Sequence, residues 1–175
     1  MIYITQDVFE TFSNKQRALD RTIQRKLDIS PVEWDGPLSL NHKLALRVEV
    51  SEFINECRDS WKYWKKKAVI PERIIDEAVD IIHFIHLILN KSNLDTEAVI
   101  RTINNYVKSN PLIENSYDPR LYMMDMYLIE TTDDLLRTYA DLLVILEGYN
   151  FTLEDIVNAY ENKNKENYRR QETGY

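Results

Sequence analysis

The chain has 175 residues, 44% of them hydrophobic, a formal net charge of −7, one cysteine and only 3 glycines. Length and hydrophobic content fit one globular domain spanning residues 1–175, and the shortage of turn-forming residues favours helices over a many-turned β fold. The acidic balance argues against general nucleic-acid binding, which needs a basic face. Cys57 has no partner for an internal disulfide and suits a reducing compartment.

Neither a signal peptide nor a membrane span is expected. The first ten residues lack a basic stretch followed by an apolar one. The longest apolar run, 78–89, is too short for a bilayer and contains Asp80, His83 and His86. We therefore expect a cytoplasmic protein.

Apolar residues at helical spacing predict three helices in the N-terminal half. The first covers about residues 7–27 and carries Gln16 and Asp20 on or beside its apolar stripe. Residues 28–37, with two prolines and a glycine, predict a loop. The second helix is expected to begin with a Ser39 or Asn41 cap and to reach about residue 67, and the third to run from Pro71 to about Asn90.

The C-terminal half also reads as helical, and no period-two alternation predicts a strand. Asn110 and Pro111 should break a helix there, Thr132 or Asp133 should cap another, and Gly148 should end it in the usual C-terminal manner. Thr152 and Asp155 resemble a capping box. The expected helices span about 95–107, 133–147 and 153–170, with a less regular segment at 112–129 interrupted near Asp118 and Pro119.

Two pairs of carboxylates stand out on these helices. Glu49 and Glu52 are spaced i, i+3, as are Glu77 and Asp80, so each pair lies on one helical face. The helix that carries Glu77 is apolar almost all round, which predicts burial. A buried carboxylate is costly unless it is paired, hydrogen-bonded or bound to a metal. Two such pairs facing each other would make an oxygen cage for a hard divalent cation, Mg²⁺ with Mn²⁺ as a substitute.

Two other interpretations of the acids remain open at this stage. The acids could form ion pairs with Lys and Arg residues of the same helices. A di-iron bundle would require Glu-x-x-His, and the chain offers only the weak Asp80-x-x-His83. The metal hypothesis accounts for both the clustering and the apolar setting of the acids.

Phosphates are the common partners of clustered Mg²⁺. A glycine-rich phosphate loop is excluded by the scarcity of glycine, so phosphate binding has to use the metal and basic side chains. In the last helix an apolar stripe through Tyr160 continues on the same face as Lys163, Asn164 and Asn167, with Arg170 nearby. This change predicts that the face enters a polar site.

The ordered motifs resemble the dimeric all-α dUTPases, a family of the MazG-related all-α nucleoside triphosphate pyrophosphatase superfamily, of the type found in phages and bacteria. Glu49-x-x-Glu52 followed by Glu77-x-x-Asp80 matches the superfamily signature. Further similar positions are Gln16, Asp20 and Ile23, the stretch Trp61-Lys62-Tyr63-Trp64-Lys65, His83 and Phe84, and Tyr160, Lys163, Asn164, Asn167, Arg170 and Gln171. The resemblance implies a helical bundle with a core four-helix arrangement, and residues of about 95–130 as a smaller variable helical portion.

The resemblance also implies an activity and a site. The activity is Mg²⁺-dependent hydrolysis of dUTP, and of dUDP, to dUMP by attack on the α-phosphorus in a homodimer. Glu49, Glu52, Glu77 and Asp80 would hold Mg²⁺, with Glu49 as the base. The substrate-binding residues implied are Gln16, Asp20 and Trp61 near the base, His83, Phe84 and Asn167 near the sugar, and Lys163 and Arg170 at the phosphates. Lys65 and Asn164 are further implied substrate-binding residues.

Two alternative functions stay open. The acid pairs also occur in MazG-type enzymes of broader nucleotide specificity. A non-catalytic helical module that binds a protein partner or regulator is a second alternative, and the retention of all four acids argues against it.

Overall fold

The computed structural model of the protein describes residues 1–109 and 117–174. Across these residues the chain forms eight helices and no strand, which confirms the all-α prediction. No helix in these two ranges combines the length and apolarity needed to cross a bilayer. The helices are α1 (Gln6–Leu27), α2 (Pro31–Asp35), α3 (Ser39–Glu56), α4 (Pro71–Leu89), α5 (Thr96–Ser109), α6 (Pro119–Asp125), α7 (Thr132–Gly148) and α8 (Leu153–Thr173).

The central helix is α4, which packs against α1, α3, α7 and α8. It is buried on most of its circumference because apolar residues recur on every side, and burial of each large aliphatic side chain contributes about 1.5–3 kcal/mol. Helix α7 also carries α5 and α6. The fully buried aliphatic residues of α4 are Ile74, Ala78, Val79, Ile81, Ile82 and Ile85.

Several helix ends agree with the sequence predictions. Pro71 opens α4, and Asn90 is its C-cap. The Thr152 and Asp155 capping box forms at the start of α8, with the Asp155 N–H donating to Thr152 Oγ1 at 3.2 Å. These ends follow local chemistry, because the capping side chains lie within one turn of the backbone groups they satisfy.

The prediction of a plain loop at 28–37 is wrong, because this stretch contains the short helix α2. Ser30 caps it, accepting a hydrogen bond from the Glu33 N–H, and Pro31 occupies its first turn. Burial of Trp34 anchors this helix to the body of the protein. A proline after a serine is therefore a helix start here rather than a loop signal.

The predicted extent of the second long helix is also wrong at both ends. Its N-cap is Leu38, with no capping side chain, and it ends at Glu56. The indole Nε1 of Trp61 donates to the Ile54 carbonyl at 2.8 Å, which satisfies an acceptor that the helix end leaves free. The guanidinium of Arg58 donates to the Ala68 carbonyl, which holds the following turns against the helix end.

Two details of the C-terminal half differ from expectation. Thr131, one residue earlier than predicted, caps α7, with Asp134 completing a capping box. Gly148 is the last residue of α7 and does not take a left-handed conformation. A Cβ at position 148 would lie 2.6 Å from the hydroxyl oxygen of Tyr117, so close packing is what requires glycine there.

The expected break at Asn110 and Pro111, and residues 112–116 of the irregular segment, lie outside the described residues. Within the described part of that segment, Asp118 caps α6 and Pro119 opens it. The residues predicted as an interruption are therefore a helix start.

Candidate active site

A cleft of about 250 Å³ lies between α1, α4 and α8, with α3 at one end. Helix α1 contributes its apolar-stripe face, α4 its C-terminal half, and α8 the face that turns polar after Tyr160. The lining side chains are Gln16, Leu19, Ile23, Glu49, Asp80, His83, Phe84, Leu87, Asn167, Arg170 and Gln171.

Three carboxylates from two helices meet beside the α3 end of the cleft, where Glu49 lines the cleft and Glu52 and Glu77 line an adjoining cavity. One oxygen from each of Glu49, Glu52 and Glu77 lies within 4.8 Å of the others. Helical spacing places Glu49 and Glu52 on one face of α3, and the extensive α3–α4 packing brings Glu77 opposite them. These all-oxygen donors fit a hard divalent cation such as Mg²⁺.

The clustered acids repel one another. Burial, followed by the charges of Asp80, Glu52 and Glu77, raises the pKa of Glu49 to about 7. Burial and the charges of Asp80 and Glu52 also raise the pKa of Glu77. Without a cation, holding both groups ionised is therefore unfavourable at neutral pH.

Asp80 has a different partner from the other predicted ligands. Its Oδ2 lies 2.6 Å from Nζ of Lys163, and a second carboxylate, that of Asp76, lies 3.7 Å from the same ammonium. Burial alone would lower the pKa of Lys163, but the hydrogen bond to Asp80 and the neighbouring acid charges raise it overall. Lys163 is therefore a cation at neutral pH, buried beside the acid cluster.

At the opposite end of the cleft, polar side chains satisfy one another. Gln16 Nε2 donates to Asp20 Oδ1 at 2.7 Å, and Gln16 Oε1 lies 2.6 Å from Nδ1 of His83. The His83 ring stacks on Tyr160 with a 4.0 Å centroid separation, and Tyr160 stacks on Phe12 at 3.9 Å. Burial, and then the charge of Lys163, lowers the pKa of His83 to about 3, so the ring is neutral.

The remaining polar residues of α8 lie along the cleft or beside it. Asn167 and Arg170 line it, and Arg170 Nη2 donates to Glu166 Oε1 at 2.7 Å. Asn164 is buried, and its Nδ2 has no hydrogen-bond partner among the described residues. The predicted change of this face from apolar to polar thus corresponds to its entry into the cleft.

Three predicted substrate residues, Trp61, Lys65 and Asp20, do not line this cleft. Trp61 and Lys65 lie in the turns that follow α3, where the Trp61 indole packs against the core and bonds Ile54. Trp64, which the predicted helix to about residue 67 would have included, is 63% exposed because the helix has already ended. Asp20 is buried behind Gln16 and borders a separate cavity.

Sequence reasoning gave no site role to two apolar residues of the cleft and one acid beside it. Leu19 follows Gln16 by three residues, and Leu87 follows Phe84 by three, so helical spacing from the predicted site residues was the available signal. Asp76 precedes Asp80 by four residues, so helical spacing was a signal there too, although its contact with Lys163 joins two helices that are far apart in sequence.

The arrangement therefore has two chemically different ends. Clustered acid oxygens and a buried ammonium suit a cation and a polyanion. The Gln16 amide, the His83 and Phe84 rings, and the apolar Leu19 and Leu87 suit a flat polar ring with hydrogen-bonding edges.

Comparison with known families agrees with this chemistry. A family model described as dUTPase matches residues 8–175, which is nearly the whole chain. Comparison with curated proteins returned no match. The chain therefore belongs to the all-α dUTPase family and is a dUTP diphosphatase, a hydrolase of nucleotide metabolism that acts on acid anhydrides.

Proposed function

We propose that the enzyme uses Mg²⁺ to hydrolyse dUTP and dUDP to dUMP, releasing pyrophosphate or phosphate. The observation that carries this proposal is the convergence of Glu49, Glu52 and Glu77 oxygens within 4.8 Å, at one end of a cleft whose other end presents a buried amide. A uracil nucleotide has the matching pair of features, a polyphosphate and a hydrogen-bonding ring.

In this proposal Glu49, Glu52, Glu77 and Asp80 hold the metal. Bound Mg²⁺ supplies charge neutralisation for the phosphate oxygens and acidifies a water molecule. Asp80 is held by Lys163, so its share in the metal site is the least direct of the four. Mn²⁺ offers the same preference for oxygen ligands and is the expected substitute.

Glu49 is the proposed general base. Of the three clustered acids, Glu49 alone also lines the cleft, so its carboxylate can accept a proton from a water molecule there. The water oxygen forms a bond to the α-phosphorus, the bond from that phosphorus to the bridging oxygen breaks, and the water proton goes to the Glu49 carboxylate. With dUTP the leaving group is pyrophosphate, and with dUDP it is phosphate.

The other cleft residues divide between the two parts of the substrate. Lys163 and Arg170 carry the positive charge that phosphates need. Gln16 is proposed to pair with the uracil edge, and His83, Phe84 and Asn167 to contact the sugar. We also propose a cytoplasmic location, which the unpaired, buried Cys57 supports.

A nucleotide panel tests the proposal. The enzyme is incubated with dUTP, dUDP, dTTP, dCTP and UTP in Mg²⁺, and pyrophosphate and phosphate are measured; a parallel series contains EDTA. We expect turnover of dUTP and dUDP, little turnover of the others, and none in EDTA. Equal turnover of all nucleotides would instead make the protein a MazG-like enzyme, and no turnover together with no Mg²⁺ binding would favour a binding module.

We further propose a homodimer formed by an apolar surface on α3 and α6. Leu40, Leu44 and Val48 are spaced i, i+4 along α3 and are 72%, 60% and 47% exposed. The segment after α6 lies against this face of α3, since Lys43 Nζ donates to the Glu130 carbonyl and Tyr127 Oη to Ser51 Oγ. The exposed apolar residues of that region are Leu121, Met124, Tyr127 and Leu128.

A contiguous apolar surface of this kind is uncommon on a monomer, and a second copy offers the same surface in return. Light scattering coupled to gel filtration should give twice the chain mass, and Leu44→Glu should give the monomer mass. Val32→Glu, at an 82% exposed site on α2, is the control and should stay dimeric. A monomeric wild-type chain at micromolar concentration would contradict the dimer.

A further inference from the structure

Three buried side chains form a hydrogen-bonded series at the base end of the cleft. Asp20, Gln16 and His83 are 5%, 3% and 4% exposed. Gln16 lies between the other two, with its Nε2 2.7 Å from Asp20 Oδ1 and its Oε1 2.6 Å from His83 Nδ1. The central amide is therefore held on both sides.

The charge on Asp20 fixes the direction of every hydrogen bond in this series. An ionised carboxylate only accepts, so the Gln16 atom that faces it has to be Nε2. The Gln16 oxygen then faces His83 and only accepts, so the imidazole hydrogen lies on Nδ1. The Nε2 of His83 is left with a lone pair, and it has no hydrogen-bond partner among the described residues.

The fixed direction matters because uracil and cytosine differ by a reversal. Along the edge formed by position 4 and N3, uracil offers an acceptor and then a donor, whereas cytosine offers a donor and then an acceptor. A glutamine amide pairs with either edge if it rotates by 180°, since this exchanges its oxygen and nitrogen. An amide held in one orientation pairs with one of the two bases and leaves buried polar groups unmatched against the other.

We propose that Asp20 is the positioning residue for uracil preference: its carboxylate locks the Gln16 amide in the orientation that matches uracil and mismatches cytosine. This proposal rests on the proposed pairing of Gln16 with the base. Asp20 itself borders a separate cavity of about 280 Å³ lined by Arg17, Arg21, Asp35 and Lys91, so it acts through Gln16.

The test compares Asp20→Asn with wild-type at about pH 8.5. Burial raises the pKa of Asp20 to about 7, with Gln16 and Lys91 opposing the shift, so the wild-type carboxylate is ionised at that pH. Asparagine has the same shape but donates as well as accepts, which permits both orientations of Gln16. We expect the ratio of kcat/KM for dUTP to that for dCTP to fall at least tenfold.

Matched variants distinguish loss of the Asp20–Gln16 hydrogen bond from the general effect of removing a negative charge. Asp35→Asn removes an acid from the same neighbouring cavity, and no hydrogen bond joins Asp35 to Gln16 among the described residues, so the ratio should stay within twofold of wild-type. Asp20→Glu keeps the carboxylate and should retain most of the preference. An unchanged ratio in Asp20→Asn would overturn the proposal.

Nitrogen-15 NMR of the free protein tests the proposed hydrogen-bond directions without any turnover, because it reports which ring nitrogen of His83 carries the hydrogen. The chain has 3 histidines, which simplifies assignment. His83 should carry its hydrogen on Nδ1. His42 is the internal reference and should carry its hydrogen on Nε2, because Lys91 Nζ lies 2.6 Å from its Nδ1 and can only donate.

The two readouts distinguish the possible failures. A His83 hydrogen on Nε2 in the wild-type protein overturns the lock, even if Asp20→Asn does not fold. Equal use of dUTP and dCTP by the wild-type enzyme, with the His83 hydrogen on Nδ1, overturns the proposed base preference and the role given to Asp20, while the hydrogen-bond directions stand.

Discussion

The buried polar groups repel one another at one end of the cleft and are hydrogen-bonded to one another at the other end. At the α3 end, Glu49, Glu52 and Glu77 converge as like charges, and the pKa of Glu49 rises to about 7. At the α1 end, Asp20, Gln16 and His83 satisfy one another through hydrogen bonds of 2.7 and 2.6 Å. The acid end lacks a ligand of opposite charge to offset its repulsion, whereas the α1 end is already hydrogen-bonded without a ligand.

The difference assigns different tasks to the two ends. Repelling carboxylates destabilise the metal-free protein and would release that cost on binding a cation, so under the proposed function affinity would come from the unsatisfied end. Fixed hydrogen-bond directions cost little on binding and discriminate between similar rings, so under the proposed function specificity would come from the satisfied end. Lys163 lies between these regions, paired with Asp80 and close enough to His83 to lower its pKa.

Removal of one acid from the cluster should produce the largest effect on activity. In Glu49→Gln we expect kcat for dUTP to fall about 10³-fold, the range for loss of a general base. The metal-free variant should nevertheless melt at a higher temperature than wild-type, because a repelling, partly buried carboxylate is gone. Steady-state kinetics and differential scanning calorimetry in EDTA measure the two effects.

Glu72→Gln provides the control for that variant. Glu72 is exposed in the first turn of α4, the helix that also carries Glu77, and lies outside the acid cluster. Its substitution should leave kcat unchanged. If Glu49→Gln kept more than a tenth of wild-type kcat, Glu49 would not be the base.

The sequence predicts those structural features that depend on interactions between residues close together in the chain. The limits of α4 and the start of α8 followed from Pro71 and from the Thr152 and Asp155 capping box. The placement of Glu49 and Glu52 on one face of α3 followed from their i, i+3 spacing. In these cases the signal and the structure lie within one or two turns of each other.

The end of α3 and the Asp80–Lys163 pair were not predicted, because both depend on interactions between segments that are separated along the chain. The end of α3 depends on Trp61 and Arg58 folding back to reach Ile54 and Ala68 carbonyls, and no residue in 57–67 is itself a strong helix breaker. The Asp80–Lys163 pair joins α4 to α8. Helical spacing indicated that both residues face a polar site but could not indicate that they face each other.

Loss of the Lys163 ammonium between α4 and α8 should have the next largest effect. Lys163→Met leaves Asp80 buried without its ammonium partner, and we expect the free energy of unfolding to fall by about 2–3 kcal/mol at pH 8. The loss should be smaller at pH 5 than at pH 8, because burial raises the pKa of Asp80 and the variant lacks the Lys163 ammonium that opposes this shift. Urea unfolding followed by circular dichroism at both pH values measures the change.

Two further variants make that result specific. Lys165→Met changes an exposed lysine of the same helix and should shift stability by less than about 0.5 kcal/mol. The double variant Lys163→Met with Asp80→Leu removes both charges and should be more stable than Lys163→Met alone. If the double variant were the less stable of the two, Asp80 would not be the source of the cost.

The pH dependence of stability should give the smallest effect. Its sign should differ between the two ends of the cleft. The folded-state pKa of Glu49, about 7, exceeds its ordinary value of 4.5, so the folded protein binds more protons than the unfolded chain between these values. The contribution of Glu49 to stability therefore falls as pH rises through this window. His83 has the opposite sign, because its pKa is lowered to about 3 and stability is lost as pH falls below 6.5.

The difference in unfolding free energy between Glu49→Gln and wild-type isolates the carboxylate, since the histidines are common to both proteins. In EDTA this difference should be near zero at pH 4.5 and should favour the variant by about 1–2 kcal/mol at pH 8, after allowance for solvent screening. Excess Mg²⁺ should reverse it at pH 8, because cation binding stabilises only the protein that keeps the full acid cluster. A difference that does not change with pH would mean that Glu49 ionises as freely in the folded protein as in the unfolded chain, and the acid end would then not be held in a repulsive state.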